Sequence, residues 1–147
     1  MGDLSAFSEL VPLDHGLVVA STARGDGTIQ SSVVNAGVLD HPVTGRPVVA
    51  FVAAGSSRRL TNLRARPRIT IVIRAGWQWA GVEGPTELVG PDDPLQGVDD
   101  GRRRSLLRDI FTAAGGTHQD WDEFDRVMAS ERRVAVLVEP ERTYGNS

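Results

Sequence analysis

Residues 56–68, SSRRLTNLRARPR, constrain the fold more than any other segment of the chain. Two apolar runs, residues 48–54 and 69–73, flank this segment, and runs of this length and type are typical of buried strands. Between the two runs we predict a short helix with Ser56 or Ser57 at its N-cap and Pro67 just beyond its end. The sequence therefore predicts a strand, a one- to two-turn helix and a second strand in direct succession.

The start of this predicted helix carries Ser56, Ser57, Arg58 and Arg59. Free backbone N–H groups, hydroxyls and fixed positive charge at a helix start favour an anion, and phosphate is the usual one in proteins. The residue types alone are equally consistent with a solvated basic helix. Both interpretations stay open at this point.

Turn signals separate most of the predicted strands. The triplet Gly25-Asp26-Gly27 predicts a hairpin between strands at residues 16–23 and 28–38, and further strands are predicted at 47–54, 68–73, 77–89 and 132–138. We expect helices at residues 3–10 and in two stretches after a loop at 90–101. Six strands joined mainly by hairpins predict a mainly β, antiparallel barrel or sandwich in a single domain covering residues 1–147.

Composition excludes several classes of function. The chain has no cysteine, and all 16 basic residues are arginine, so thiolate chemistry and a Schiff-base lysine are excluded. A net charge of −3 argues against nucleic acid as a partner, and no apolar window is long enough to span a membrane. We expect a cytoplasmic protein with no metal site and no catalytic nucleophile. We expect surface positions for the three histidines and solvated positions for the paired loop aspartates: His15, His41, His118, Asp92, Asp93, Asp99 and Asp100.

The predicted strand at 77–89 has an unusual pattern. Trp77 and Trp79 alternate with the smaller residues Ala80 and Val82 on the opposite side. Small apolar residues suit a barrel interior, so the two indoles point outward and need a cover. A C-terminal helix, a partner subunit or a flat cofactor would provide that cover.

Several motifs in order resemble the split β-barrel flavoproteins related to pyridoxamine phosphate oxidase, and more closely their actinobacterial branch that uses the deazaflavin coenzyme F420. The resemblance runs from about Leu17 to Gly145. Its motifs are Arg59 with Asn62-Leu63-Arg64, Pro67-Arg68, Gly76-Trp77 with Glu83-Gly84, Trp121-Asp122-Glu123-Phe124, Arg132-Arg133-Val134 and Tyr144-Gly145.

The resemblance implies a six-stranded antiparallel split β-barrel with a few flanking helices, and a homodimer with cofactor at the subunit interface. It implies that the cofactor phosphate binds at Ser57, Arg58 and Arg59, where the family usually has lysine in place of Arg59. It also implies that the tricyclic ring lies against Ser32, Val33, Val34 and Asn35, and that Trp77 and Trp79 come from the second subunit. The chain lacks the C-terminal pattern of the vitamin oxidases.

The resemblance thus implies a reductase that transfers hydride from reduced coenzyme F420 to an electron-poor organic small molecule. FMN is the alternative carrier. A non-catalytic protein that binds a flavin, F420 or haem on the same barrel is the alternative function. Hydride chemistry belongs to the cofactor, so no catalytic side-chain signature is expected to separate these hypotheses.

Overall fold

A closed, six-stranded antiparallel β-barrel forms the body of the molecule, as seen in a computed structural model that describes residues 2–146. The strands follow each other around the barrel in the order β4-β1-β2-β3-β6-β5, and β5 pairs with β4 to close it. A seventh strand pairs with β5 alone. The bounds are β1 Leu17–Ala23, β2 Ile29–Asp40, β3 Pro47–Ala53, β4 Arg68–Ala75, β5 Gln78–Val89, β6 Val134–Val138 and β7 Arg142–Gly145.

Four α-helices flank the barrel: α1 Ser5–Leu10, α2 Arg58–Ala65, α3 Asp100–Ala113 and α4 Trp121–Ser130. Asp99 and Asp120 cap α3 and α4, because their side chains accept hydrogen bonds from the backbone N–H groups three residues later. Ser57 is the N-cap residue of α2, yet its side chain makes no capping hydrogen bond. Helices α2 and α4 therefore begin after the N-cap residues that the sequence predicts, α3 begins two residues before the end of the predicted loop, and α2 begins without using its serine hydroxyl.

Strand alternation fills the barrel with small and branched side chains. The inward residues include Ala20, Ala36, Phe51, Val82 and Val136, all fully buried. Ala80 and Val82 lie inside as predicted from their alternation with the tryptophans. The side chain of Phe7 brings α1 into the same core.

One outer face of the barrel is covered by helices. The outward residues of β3 and β6, such as Val48, Ala50 and Leu137, pack with Ile110 of α3 and Phe124 of α4 in a second apolar cluster. Strand β6 is consequently buried on both sides along its whole length. We call this the covered face.

The close approach of α3 to β2 depends on Gly37. A Cβ atom at this position would lie 2.4 Å from the carbonyl carbon of Ala113, at the end of α3. Only glycine lets the helix backbone sit this close to the strand. The helix layer is thereby fixed against the barrel at the edge of the covered face.

The opposite outer face, formed by β1, β4 and residues 29–35 of β2, has no helix over it in residues 2–146. Val33 and Val19 are cross-strand neighbours, and Val19 is also a neighbour of Val72. Val33 is 64 % exposed and Val19 is 43 % exposed. We call these three residues the apolar stripe and this side of the barrel the open face.

The predicted fold is confirmed, with corrections at particular elements. The split barrel with flanking helices is present, but β7 was not predicted as a strand, and β2 extends to Asp40. Residues 90–99 form a loop as predicted, but α3 begins at Asp100, inside the predicted loop, and the loop aspartates are not simply solvated. Asp93 makes a two-point ion pair with Arg64, and Asp92 pairs with Arg132 at 2.7 Å.

His41 is also not the surface residue that was predicted, since it is only 7 % exposed. Its Nδ1 accepts hydrogen bonds from the backbone N–H groups of Val43 and Thr44, and its Nε2 lies 2.8 Å from Glu87 Oε1. Because Nδ1 is an acceptor, Nε2 carries the proton and donates to the carboxylate. The ring therefore organises the turn between β2 and β3.

Candidate functional site

Helix α2 lies across the end of the barrel where the inward side chains become polar; we call this end the mouth. Thr22 of β1 and Gln30 of β2 continue the inward rows beyond the apolar core. Asn62 of α2 is buried and donates from Nδ2 to Thr22 Oγ1 and to Gln30 Oε1, at 3.0 Å each. This amide fixes the helix on the mouth, because a buried amide without partners costs about 1–3 kcal/mol.

Arg59 lies at the same mouth, one turn before Asn62. Its Nη1 donates to Ser32 Oγ at 2.9 Å, which joins two of the predicted site residues from different parts of the chain. Its Nε is buried and has no hydrogen-bond partner within residues 2–146, and the same holds for the hydroxyl of Ser57. Two buried polar groups at one helix start are thus without a hydrogen-bond partner among residues 2–146, which is unusual for buried polar atoms.

The electrostatics at this helix start favour a negative ligand. Among the described residues, no carboxylate forms an ion pair with Arg59, and burial, followed by the positive charge of Arg133, lowers the pKa of its guanidinium. Arg133 precedes β6 and forms an ion pair with Glu131 through Nε, at 2.9 Å. A bound anion would remove the repulsion between the two guanidiniums and satisfy the unpaired groups.

Ser56 and Arg58, the other predicted residues at this helix start, are exposed to solvent. Ser56 lines a shallow recess with Gly55 and Arg133. The four predicted residues therefore divide into an inner pair, Ser57 and Arg59, and an outer pair. The inner pair meets the mouth of the barrel, and the outer pair faces solvent.

The four predicted residues of β2 alternate between two environments. Ser32 and Val34 point into the barrel, and Val34 is only 9 % exposed, so its backbone alone is accessible to a ligand. Val33 and Asn35 point outward onto the open face. Asn35 donates from Nδ2 to the carbonyl oxygen of His15 at 2.7 Å, which leaves its Oδ1 available.

Trp77 and Trp79 do not meet the other predicted residues within one chain. Trp77 is 93 % exposed in the turn between β4 and β5, because β5 begins one residue later than the strand predicted at 77–89, and Trp79 lies on the outer side of β5. Two strands, β1 and β4, separate β5 from β2, which places them about 14 Å apart along the sheet at the usual strand spacing. The structure therefore brings the arginine site together with β2 and leaves the tryptophans beyond the β4 edge of the open face.

Tyr144 extends the open face toward the tryptophans. Its ring lies over Gly81, where a Cβ atom would come within 2.3 Å of the ring, and forms an edge contact with Trp79 at 6.2 Å between centroids. Its hydroxyl donates to Glu83 at 3.0 Å. Partial burial, together with that carboxylate, raises the pKa of Tyr144, so the phenol holds its proton firmly.

A cavity of about 350 Å³ lies where the covered and open faces meet; we call it the seam cavity. Its barrel side is formed by Asn35 and Val52, and its helix side by Phe111, Phe124 and Met128. Arg133 lines this cavity and also the recess beside Ser56. The cavity is therefore adjacent to the arginine site.

Sequence reasoning missed two residues of this region. Arg133 belongs to a motif singled out above but was given no role, because its closeness to Arg59 arises only when β6 pairs beside β3. Asn62 was likewise quoted without a role. A polar residue at a buried position of a predicted helix was the signal for it, since the side chains of Leu60 and Leu63 around it are buried.

Several solved structures share this fold, and the names of two of these proteins refer to coenzyme F420 or to FMN. The chain is similar to a conserved hypothetical protein from Mycobacterium tuberculosis, with a TM-score of 0.67, 17% identity, and coverage of 99% of this chain and 84% of that one. It is similar to an F420 reductase, with a TM-score of 0.62, 16% identity and 98% coverage of both chains. It is also similar to a pyridoxamine 5'-phosphate oxidase-related, FMN-binding protein from Nostoc punctiforme, with a TM-score of 0.65, 11% identity, and coverage of 99% and 84%.

At these identities, the likeness shows a shared split-barrel fold. No protein-family profile matches the sequence. Across residues 2–146, no helix has the length and apolar character needed to cross a membrane.

Proposed function

We propose that this protein is an oxidoreductase that binds reduced coenzyme F420 and transfers its hydride to an electron-poor organic acceptor. The observation that carries the proposal is at the start of α2, where Ser57 Oγ and Arg59 Nε are buried without hydrogen-bond partners in residues 2–146. The structural likeness to an F420 reductase and to an FMN-binding protein supports a flavin-type cofactor. The choice of F420 over FMN comes from the sequence resemblance.

The residues of the site fit the phosphate of such a cofactor. Arg59 presents a fork of donors, held in place by its contact with Ser32 Oγ at 2.9 Å, and Ser57 adds a hydroxyl. Arg58, exposed at the same helix start, adds a second positive charge. A guanidinium binds phosphate through paired hydrogen bonds, so Arg59 serves where the related family usually has lysine.

The outer side of β2 offers a surface for the ring system. Four residues from Ser32 to Asn35 span about 10 Å, close to the length of a tricyclic ring. Val33 provides an exposed apolar contact and Asn35 a polar one, while the backbone of Val34 lies between them. In this arrangement, the chain binds the phosphate at one end of β2 and supports the ring along the outer side of the strand.

The cofactor supplies the hydride, and the protein supplies binding and orientation. The polar side chains at the mouth form hydrogen bonds with one another and thereby fix α2 on the barrel. None of these side chains forms a nucleophile–base pair. Since the pKa of Tyr144 is raised and its hydroxyl is engaged by Glu83, we assign no proton transfer to it. Where the product needs a proton, water provides it.

The proposal includes a homodimer with the cofactor between the subunits. The apolar stripe of Val33, Val19 and Val72 leaves apolar area exposed next to the arginine site. A second copy placed on the open face would bury that area. We propose that its Trp77 and Trp79 lie near the first subunit's β2, as the family resemblance implies. Both indole rings, which are exposed in a single chain, would then be covered by the partner subunit.

Cofactor titration tests the proposal. F420 and FMN are titrated into the purified protein and followed by fluorescence quenching, with F420 expected to bind more tightly because its phosphodiester and glutamyl carboxylates offer more negative groups. Arg59→Ala should weaken binding by about 1.5–3 kcal/mol, the scale of a hydrogen bond to a charged group. This corresponds to roughly ten- to a hundredfold in Kd.

Arg46→Ala provides the matched control, because Arg46 is an exposed arginine in the turn between β2 and β3, at the end of β2 that lies away from the mouth. It should leave the affinity unchanged. Stoichiometric FMN on the purified protein with no quenching of F420 would favour the FMN alternative. Tight binding without turnover over a panel of acceptors would favour a binding protein over a reductase.

A further inference from the structure

We propose that the seam cavity is a binding site for a planar aromatic ligand that carries one anionic group, with the anionic group held by Arg133. The binding itself is independent of the cofactor. Its role as the site of the hydride acceptor rests on the proposed function.

The size and lining of the cavity point to an aromatic ring. A cavity of about 150 Å³ lined by aliphatic and aromatic side chains holds a benzene molecule, and this one measures about 350 Å³. It therefore has room for a substituted or bicyclic ring. Its walls include Val52, Phe111, Phe124 and Met128, and apolar walls with few polar groups are typical of small-molecule sites.

The aromatic side chains of the wall already contact one another in tilted and edge-to-face arrangements. The ring centroids of Phe111 and Phe124 are 5.1 Å apart at 52°, and His118 lies 5.7 Å from Phe124 at 73°. His118 Nδ1 accepts a hydrogen bond from the backbone N–H of Asp120, which holds the ring against this cluster. A wall of fixed aromatic rings favours a flat ligand, because edge-to-face contacts need defined orientations.

Arg133 supplies the charge that selects an anionic ligand. Its Nε is used by Glu131, while its two Nη groups make no hydrogen bond to another part of residues 2–146. The nearby positive charge of Arg59 adds to the potential at this end of the cavity. A carboxylate on the ligand would meet two free donors of a half-buried guanidinium, the geometry that this side chain binds best.

Calorimetric titration of the full chain tests the proposal with 2-naphthoate and its neutral analogue 2-naphthamide. Neither probe carries an electron-poor group for hydride transfer, so binding is measured without turnover. We expect 2-naphthoate to bind more tightly than 2-naphthamide. In Arg133→Gln, the affinity for 2-naphthoate should fall about ten- to a hundredfold, the scale of a charge-assisted hydrogen bond, while 2-naphthamide is unaffected.

Two further variants complete the design. Arg126→Gln removes an exposed charge from the same helix region without touching the cavity and should bind both probes as the parent does. Val127→Trp fills the cavity from its solvent side, because Val127 lines it and is 41 % exposed, and should abolish binding of both probes.

The outcomes separate this proposal from the proposed function. Absence of binding by the parent protein, equal affinity of parent and Arg133→Gln for 2-naphthoate, or undiminished binding to Val127→Trp would overturn it. If Arg133→Gln weakened F420 binding and left 2-naphthoate unchanged, Arg133 would belong to the cofactor site instead. Conversely, Arg133-dependent binding of 2-naphthoate to a protein that binds neither F420 nor FMN would overturn the proposed function and leave the aromatic site in place.

Discussion

On the covered face, Val48 and Leu137 lie under two helices and are almost fully buried, whereas on the open face Val19 and Val33 remain exposed. The side chains are of the same kind, and both sets point outward from strands of one barrel. What differs is the element placed over them. Apolar side chains on an outer barrel face therefore contribute to stability only where another layer removes them from water.

The candidate site lies where the two faces meet. The mouth carries Arg59 and Ser57, the seam cavity lies under the edge of α3 and α4, and the outer side of β2 leads from one to the other. The covered face supplies a rigid support, while the open face supplies accessible surface. Predictions that alter one face at a time test this division.

The largest effect is expected from a charge on the open face. Val19→Asp places one carboxylate on each side of the proposed two-fold interface, and burying each unpaired polar group costs about 1–3 kcal/mol, so association should weaken by about 2–6 kcal/mol. Sedimentation at micromolar concentration should then show a monomer where the parent is a dimer.

Thr112→Asp is the control for this experiment, since Thr112 is exposed on α3 over the covered face. It should leave the dimer intact. A monomeric parent protein, or a Val19→Asp variant that still dimerises, would mean that the open face is not the interface.

The next effect concerns the covered face. Ile110→Ala removes three carbon atoms from a side chain that is 1 % exposed between α3 and the barrel, and should lower the free energy of unfolding by about 2–5 kcal/mol. Urea denaturation measures it. The counterpart on the open face, Ile29→Ala, should cost less than about 0.5 kcal/mol because Ile29 is 58 % exposed. Equal losses at the two positions would remove the distinction between the faces.

The smallest effect concerns the ion pair that joins the covering helices. Arg108 of α3 donates from Nε to Asp125 of α4 at 3.0 Å, and this hydrogen bond lowers the pKa of the Asp125 carboxyl. The pair is partly solvated, so Asp125→Asn should destabilise the protein by only about 0.2–1 kcal/mol near neutral pH.

The sign of the pH dependence follows from the direction of that shift. A carboxyl with a lowered pKa stabilises the folded state above its unfolded pKa, and the contribution disappears as the pH falls through the folded value. The stability difference between parent and Asp125→Asn should therefore vanish in acid. Asp109→Asn, an exposed position on α3, serves as control and should show no difference at either pH. A difference that persists in acid would assign the effect to packing.

The sequence was sufficient for most of the barrel, while the anion site at the start of α2 stays a prediction. Hairpin turns and alternating residues predicted six strands, and the hydroxyls and arginines at the start of α2 predicted an anion site that the buried Ser57 and Arg59 groups support. These features are local, because periodicity and helix start signals are contained within a few residues.

The remaining features depend on contacts between distant segments. The approach of Arg133 to Arg59 requires β6 to pair beside β3, and β7 is a strand only because β5 offers it a free edge. The sequence predicts a surface position for His41. In the structure its ring accepts hydrogen bonds from the backbone of the turn at Val43 and Thr44 and contacts Glu87, a residue of β5. Neither pairing nor burial of this kind is encoded in residue spacing.

The alternation along β2 limits how this segment can vary in length. Odd-numbered residues such as Val33 and Asn35 point outward, to the open face and the seam cavity. Even-numbered residues such as Ser32 and Val34 point inward, to the mouth and the core. A one-residue insertion or deletion within the strand would exchange these two sets. Relatives that keep this site should therefore differ in β2 by substitution and place their length changes in the hairpin around Asp26, where the backbone is free to accept them.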